Sequence, residues 1–289
     1  MKFVLDADQR DFAASLDSLL SSSDTVAVAR AWADGDSAPG LKLWSRLAEQ
    51  GVLSLATDAT PVELCIAFEA LGRYAVPGPW VESAAYLPVA LGREVDGVAT
   101  VALPPHVPYA LDADVADQVY VGDTPTTDIG ELVGSVDRTR RLFKVTGDGE
   151  PSRAAFDLAV LAVSAQLLGA GERVLADSVT YVKQRKQFGR EIGSYQAIKH
   201  ALADVRIALD FARPLVFGAA LGEVPTSAAK VAAADAAYLA SRTGLQVHGA
   251  IGYTEEFDLS IWITKIRALV GAWGTPAYHR ARLLEALVG

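Results

Sequence analysis

Two short segments of the chain carry side chains that could bind a ligand. The first is Arg185-Lys186-Gln187-Phe188-Gly189, and the second covers residues 246–254, with glycines at 249 and 252. Guanidinium and amide groups donate hydrogen bonds to ligands, and a glycine lets a ligand approach the backbone closely. Taken alone, however, Arg185 is typical of a solvated arginine at a helix end. The glycines are equally typical of helix C-caps.

Helical periodicity predicts the elements that position these segments. After residue 152, apolar residues recur at helical spacing, and short links separate the helical stretches. The predicted helices cover 153–184, 194–221, 226–248, 257–270 and 276–287. Long helices with short links indicate an antiparallel bundle. The first segment therefore follows the first long helix, and the second follows the third.

The remaining chain predicts two further units. Helical patterns fill residues 1–93, with stretches at 41–50, 61–74 and 80–91. Short runs with strand character follow at 98–103, 118–121 and 141–145, separated by turn residues. We predict a mainly α fold with a small β middle domain. Its parts are an N-terminal helical domain (1–93), a reduced β-rich middle domain (94–150) and a C-terminal four-helix bundle (151–289).

Composition and charge exclude several classes of function. A net charge of −9 argues against nucleic acid as a partner. No basic region precedes an apolar run at the N-terminus, and the longest uncharged apolar stretch, 158–171, is too short to span a bilayer. The single cysteine, Cys65, excludes a disulfide within the chain and is predicted to be a buried small hydrophobe. We expect a cytoplasmic protein with no membrane partner and no metal site.

The order of these units, together with three C-terminal motifs, resembles the acyl-CoA dehydrogenase family. The motifs are Arg185-Lys186-Gln187-Phe188-Gly189, Tyr195-Gln196-Ala197-Ile198-Lys199-His200 and residues 246–254. Residues 43–53 and 68–73 are similar to helices of the N-terminal domain in that family. By contrast, Gly169-Ala170-Gly171 does not indicate a nucleotide-binding loop, because it lies in a helical pattern, follows no strand and lacks a third glycine.

The resemblance implies that these motifs bind FAD across a subunit interface. Arg185 would reach the diphosphate of a flavin held mainly by the neighbouring subunit, since its planar donor fork matches phosphate oxygens. Phe188 would pack on the cofactor, and Gln196 would hydrogen-bond its ribityl-phosphate part. Gln246 and Gly249 would line the adenine end.

The catalytic base of the family is missing from the positions where the resemblance places it. The family reaction needs a carboxylate that removes a proton from the substrate. Trp273 occupies one base position, in Ala272-Trp273-Gly274-Thr275, and Ala159 occupies the other. Asp157 is close in sequence to Ala159 but faces another side of the helix. No flavin-ring loop of the family's type occurs in the middle unit, where residues 110–117 read as a polar connection.

We therefore predict no catalytic residue in this chain. The resemblance implies the short, non-catalytic, FAD-site-completing subunit of a heteromeric (α2β2) acyl-CoA dehydrogenase, of the type that degrades steroids in actinobacteria. Its partner would be a homologous catalytic subunit that supplies the base for α,β-dehydrogenation of an acyl-CoA. Two alternatives stay open: a self-sufficient enzyme with an unplaced base, and a flavin-free structural or acyl-CoA-binding paralogue. We also expect Trp262 or Trp273 at or near a subunit interface, in a protein that is at least a dimer.

Overall fold

The N-terminal region is built from helices. A computed structural model describes residues 4–288. Asp6 caps the first helix with a reciprocal capping box, and Thr60 does the same for the fifth. A π-helical turn, Glu82–Tyr86, precedes the sixth. The helices are α1 (Ala7–Ser21), α2 (Thr25–Ala33), α3 (Ala38–Glu49), α4 (Leu55–Asp58), α5 (Pro61–Arg73) and α6 (Leu87–Leu91).

The middle region contains two small three-stranded sheets. The strands are β1 (Ala99–Ala102), β2 (Ala110–Leu111), β3 (Gln118–Val121), β4 (Thr124–Pro125), β5 (Ile129–Val133) and β6 (Leu142–Val145). One sheet has the order β1-β3-β4, with β1 and β3 parallel, and the other has the order β2-β6-β5. The predicted fold class, mainly α with a small β middle region, is confirmed.

A helical bundle forms the C-terminal part. Its helices are α7 (Arg153–Gln184), α8 (Gln196–Ala220), α9 (Thr226–His248), α10 (Leu259–Gly271) and α11 (Pro276–Val288), with a hairpin of β7 (Lys186–Gln187) and β8 (Arg190–Glu191) between α7 and α8. By length and composition α7 could cross a membrane, but 78% of its apolar window is buried inside the protein. It is therefore the core helix of this bundle.

Glycines allow the helices around α7 to approach closely. A Cβ on Gly72 of α5 would lie 2.0 Å from the Gln166 carbonyl oxygen, and one on Gly169 would lie 1.9 Å from that of Glu69. A Cβ on Gly171 would meet Leu209 at 2.8 Å. The glycine pair in α7 thus serves helix packing, in agreement with its rejection as a nucleotide-binding loop.

Three sequence expectations in the N-terminal and middle regions need correction. Helix α2 lies within the helical region predicted for residues 1–93 but is not predicted as a separate stretch, although Val28 and Trp32 bury its inner face. Strand β5 is also unpredicted, because its side chains are mostly exposed and show no apolar run. The interpretation of residues 110–117 as a polar connection is wrong at its start, because Ala110 to Ala113 are all buried. Cys65, in contrast, is fully buried as expected, and burial raises the pKa of its thiol.

Candidate functional site

The predicted ligand-binding residues all lie at one end of the bundle. Helix α7 ends where Arg185 begins the hairpin, α8 starts at Gln196, and α9 ends at Gly249. Because consecutive bundle helices run antiparallel, these three positions share an end. Contacts across it tie the helices together: Tyr181 of α7 stacks on His248 of α9 at 4.2 Å between ring centroids.

The hairpin between α7 and α8 projects an aromatic side chain into solvent. Phe188 and Gly189 form its two-residue turn, with φ of +53° and +80°. Positive φ at both turn residues matches the right-handed twist of a short hairpin but is unfavourable for phenylalanine. The Phe188 side chain is 92% exposed. The ring is therefore free to contact a ligand or a neighbouring chain.

The hairpin region is strongly cationic in an otherwise acidic protein. Residues 183–191 include four cations and one anion, whereas the chain as a whole carries −9. Arg190 stacks on Tyr195, with its guanidinium carbon 3.9 Å from the ring centroid. Arg185 is exposed, and no carboxylate lies within 4.0 Å of it in the described part of the chain. Its guanidinium is therefore available to an external anion.

Gln246 and Gly249 flank the end of α9. Gln246 is exposed, and Gly249 is the helix C-cap with φ of +64° and ψ of −140°, a conformation that favours glycine. No atom lies within 4 Å of the position that a Cβ would take there. Gly249 is thus a C-cap residue whose backbone is also open to a ligand. Gln196, at the start of α8, is exposed as well.

The two positions expected to hold a catalytic base lie in the protein interior. Ala159 is 0% exposed and Trp273 is 1% exposed. Trp273 packs in an aromatic cluster, with ring centroids 5.3 Å from Tyr86 and 5.7 Å from Phe156. Tyr278 closes the cluster 6.3 Å from Phe156. Side chains therefore fill this region.

Trp273 has a strained backbone, and a buried histidine binds its carbonyl oxygen. Its φ of +56° is unfavourable for a tryptophan. His279 donates from Nε2 to the Trp273 carbonyl oxygen at 2.9 Å and accepts at Nδ1 from the Ser227 hydroxyl at 3.0 Å. Burial lowers the pKa of His279 to about 4, so the ring is neutral at pH 7. This neutral tautomer satisfies both partners.

Glu82 is a buried carboxylate that the sequence analysis does not identify. It is 1% exposed, in the π-helical turn, and burial raises its pKa to about 7. Arg140 and the Trp273 side chain oppose that rise. Its Oε2 has no hydrogen-bond partner. An acid on an otherwise apolar stretch, 80–87, is the signal that could have revealed it.

Further buried ionisable groups surround the same region. Lys230 is fully buried, donates to the Leu269 carbonyl oxygen at 2.6 Å, and has a pKa lowered to about 7 by burial and by Arg140. Burial raises the pKa of Asp112 to about 6, although Arg141 opposes the rise. Both groups are buried, so they affect the stability of the core and do not form a surface site.

These contacts bear on two expectations about individual residues. Trp262 and Trp273 are both buried in the core of this chain, so neither side chain is exposed for contact with a neighbour, and their nearness to a subunit interface stays a prediction. Trp262 donates from Nε1 to the carbonyl oxygens of Gly72 and Arg73 at 3.2 and 3.0 Å. Asp157 pairs with Arg282 at 2.8 Å and points away from Ala159.

Comparison with known proteins decides the family. Residues 151–288 match the acyl-CoA dehydrogenase C-terminal domain. The chain is 32% identical over 300 residues to the acyl-CoA dehydrogenase IpdE2 of Mycobacterium tuberculosis, covering 93% of this chain and 90% of the relative. The chain belongs to the acyl-CoA dehydrogenase family.

Solved structures of this family share the fold. The ChsE4-ChsE5 complex from Mycobacterium tuberculosis contains a chain that matches with a TM-score of 0.78 at 19% identity, covering 99% of each chain. The steroid ACAD Tcur3481-Tcur3483, studied as a G363A variant, gives a TM-score of 0.80 at 18% identity and 97% coverage of each. At these identities the likeness establishes the fold alone.

Acyl-CoA dehydrogenases are FAD-dependent. The described residues suit one part of a flavin site but not another. At the end of the bundle, Arg185 has no acidic partner in the described chain and can donate hydrogen bonds to a diphosphate. The open backbone of Gly249 and the exposed ring of Phe188 can contact an adenine. In the interior, the fully buried Trp273 and its aromatic neighbours fill the region of the expected base. The donor set at the bundle end therefore fits the diphosphate and adenine part of FAD. The interior around Trp273 does not fit the flavin ring together with a substrate.

Proposed function

We propose that this chain completes the FAD site of a heteromeric acyl-CoA dehydrogenase whose catalytic base lies on a homologous partner subunit. The assembly would be an α2β2 heterotetramer in the cytoplasm and would carry out α,β-dehydrogenation of an acyl-CoA, with a bulky steroid-derived acyl group as the expected substrate class. The observation that carries the proposal is the contrast between the exposed Arg185 hairpin and the closed interior around Trp273.

Exposed apolar side chains on two bundle helices support a permanent neighbour. On α8, Ile207 and Phe211 are 52% and 72% exposed, on the helical face that begins at Gln196. On α9, Tyr238 is 41% exposed, on the face that leads to Gln246. Exposed apolar side chains grouped in this way mark protein contact surfaces. The apolar residues for contact are thus on α8, α9 and the hairpin, and not on α10.

The relatives support the identity of the partner and the substrate class. One similar structure is a complex of two differently named chains, ChsE4 and ChsE5, and another is described as a steroid ACAD. By analogy, we assign to this chain a homologous acyl-CoA dehydrogenase as its partner. The acyl-CoA would reach the reaction through that complex.

In the proposed complex, the residues of this chain bind and orient, and they do not transfer protons. Arg185 would hold the diphosphate, Gln196 the ribityl-phosphate part, and Gln246 with Gly249 the adenine end, while Phe188 packs on the cofactor. When bound at these residues, FAD would supply the hydride acceptor for the reaction. Donors in fixed positions orient the bound cofactor, which lowers the entropic cost of reaching the reactive geometry.

The first test compares the chain alone with the chain purified beside its partner. Because Trp273 and Ala159 stand at the base positions, we expect no acyl-CoA oxidation by the chain alone. We expect bound flavin and activity after co-expression with the protein encoded by the adjacent gene. Flavin absorbance, subunit stoichiometry by light scattering and turnover of an acyl-CoA panel are the measurements.

Each other outcome of that test selects one of the alternatives. Turnover by the lone chain, with contaminating partner excluded, would establish a self-sufficient enzyme. No flavin in either preparation would favour a structural or acyl-CoA-binding paralogue. A monomer at micromolar concentration, alone and with the co-expressed chain, would refute the assembly.

The second test concerns the Arg185 guanidinium. Arg185→Ala should weaken FAD retention in the complex by roughly ten- to a hundredfold, because a charge-assisted hydrogen bond contributes about 1.5–3 kcal/mol. Arg185→Lys should rescue only partly, since lysine lacks the planar fork. Flavin content after dialysis against decreasing FAD is the measurement.

Lys183→Ala provides a matched control for Arg185→Ala. Lys183 is an exposed cation one half-turn earlier, in the last turn of α7. We expect wild-type flavin retention for this control and an unchanged melting temperature for both alanine variants. Equal flavin content in Arg185→Ala and Lys183→Ala would mean that Arg185 is an ordinary surface residue.

A further inference from the structure

A cavity of about 540 Å³ lies between α1, α5 and the C-terminal half of α8. This volume is in the range of pockets that hold small organic ligands, about 300–1,000 Å³. None of its lining residues belongs to the aromatic cluster around Trp273 or to the bundle end that carries Arg185. The cavity is therefore separate from the proposed cofactor surface.

The walls of this cavity are mainly apolar. Leu5, Val62, Ile66, Phe217 and Leu221 line it. Leu221 is 52% exposed at its position after α8, so the cavity communicates with solvent at that side. Moving hydrocarbon out of water and against such walls is favourable. The walls thus suit a hydrocarbon body that enters from the surface.

The charged groups of the cavity differ in whether they already have partners. Arg213 forms two hydrogen bonds with the Glu69 carboxylate, at 2.9 and 2.7 Å. The Asp17 carboxylate accepts a hydrogen bond from the Tyr74 hydroxyl at 2.7 Å. Arg73, in contrast, has no carboxylate within 4.0 Å among residues 4–288.

The position of Arg73 suits its guanidinium to a ligand. It is the last residue of α5, and its backbone carbonyl accepts a hydrogen bond from Trp262. Its side chain is partly buried where it lines the apolar cavity. A ligand carboxylate would supply the missing acceptors in the geometry that a guanidinium prefers.

We propose that this cavity binds an amphipathic carboxylic acid, with its hydrocarbon body against the apolar walls and its carboxylate on Arg73. The proposal goes beyond the flavin-site function and does not depend on it. Straight-chain fatty acids and polycyclic steroid acids share the required chemistry, so the experiment separates them.

The test measures displacement of a fluorescent fatty acid, 11-(dansylamino)undecanoate, from the full chain. Laurate, cholate and dodecanol serve as competitors. We expect saturable binding of the probe at one site and displacement by at least one of the two acids. Displacement by laurate alone identifies a straight-chain ligand, and displacement by cholate alone identifies a polycyclic one. Displacement by neither acid overturns the proposal.

Variants at Arg73 test the contact with the carboxylate. Arg73→Gln should weaken binding of the displacing acid by roughly ten- to a hundredfold and leave the weak binding of dodecanol unchanged. Arg73→Lys keeps the charge and should lose less, which also covers the case in which Arg73→Gln does not fold. Arg267→Gln removes an exposed arginine of α10 that does not line the cavity and should bind as the parent does. Equal affinity of the acid for the parent and for folded Arg73 variants overturns the proposal.

Filling the cavity tests the location independently of charge. Ala14 lines the cavity from α1 and is itself exposed, so a larger side chain there does not disturb the core. Ala14→Trp should abolish binding of the acid and the alcohol. Ser18→Trp, at an exposed α1 position outside the cavity, should not. Probe binding that survives Ala14→Trp places the acid elsewhere and contradicts the assignment.

Discussion

Replacing Trp273 by alanine is expected to lower the free energy of unfolding by about 3–5 kcal/mol. The side chain is 1% exposed and packs between Tyr86 and Phe156, so truncation removes a large buried ring and leaves a cavity. Its loss also leaves Glu82 with one interaction fewer in the interior. Urea unfolding of the lone chain, followed by far-UV circular dichroism, is the measurement.

Two companion variants separate ring packing from backbone strain. Trp273 has φ of +56°, which alanine tolerates no better than tryptophan, whereas glycine does. Trp273→Gly should therefore be less destabilised than Trp273→Ala, by about 1 kcal/mol. Tyr253→Ala truncates an aromatic ring that is 75% exposed and should leave stability unchanged. A loss below about 1 kcal/mol for Trp273→Ala would mean that the ring does not hold the interior together.

The long helices are the part of the fold that the sequence predicts best. Periodicity predicts α7 and α9 with the bounds that the structure has. Local signals mark the start of α7 and the end of α9: the Ser152 side chain accepts from the Ala155 N–H at 3.3 Å, and Gly249 caps α9 with positive φ. Where such signals are weak, prediction fails. Helix α2 follows Asp24 in a left-handed conformation, which the residue type alone does not indicate.

The outer part of the candidate site is predictable, and the interior is not. Arg185, Phe188, Gln196, Gln246 and Gly249 belong to motifs with fixed spacing, and their roles at the bundle end stay a prediction. The environment of Trp273 depends on contacts between regions far apart in sequence. Periodicity cannot supply these contacts, so it does not show whether apolar residues such as Trp262 and Trp273 fill the core of this chain or face a neighbour. The structure places both in the core.

The burial of Glu82 is an example of a feature that helical periodicity does not predict. Glu82–Tyr86 is a π-helical turn, which adds a residue to a helical turn and so shifts the faces of the residues that follow it. All five of its side chains are buried, so no polar face is left for the acid. Helical periodicity does not predict the burial of Glu82, because it assigns an acid to the solvent-exposed face of a helix.

Burial of Glu82 should make the stability of the protein depend on pH in a defined direction. Its pKa is about 7 in the folded chain, against an ordinary value of 4.5. Between these values the folded state holds a proton that the unfolded state has released. The contribution of Glu82 to stability is therefore fully present below pH 4.5 and is lost as the pH rises to 7.

Glu82→Gln removes this titration while keeping the size of the side chain and an acceptor for Trp273. The variant should match the parent near pH 4.5 and exceed it in unfolding free energy by about 3 kcal/mol above pH 7, because each unit of pKa shift corresponds to about 1.4 kcal/mol. Lys230 and His279 also titrate in this range, so the measured quantity is the difference between variant and parent in urea unfolding from pH 4.5 to 8.

Glu49→Gln, at an exposed position of α3, provides the control and should show no such pH-dependent gain. A gain of Glu82→Gln that is constant across the range, or largest at pH 4.5, would contradict the prediction. It would mean that burial beside Trp273 does not raise the pKa of Glu82.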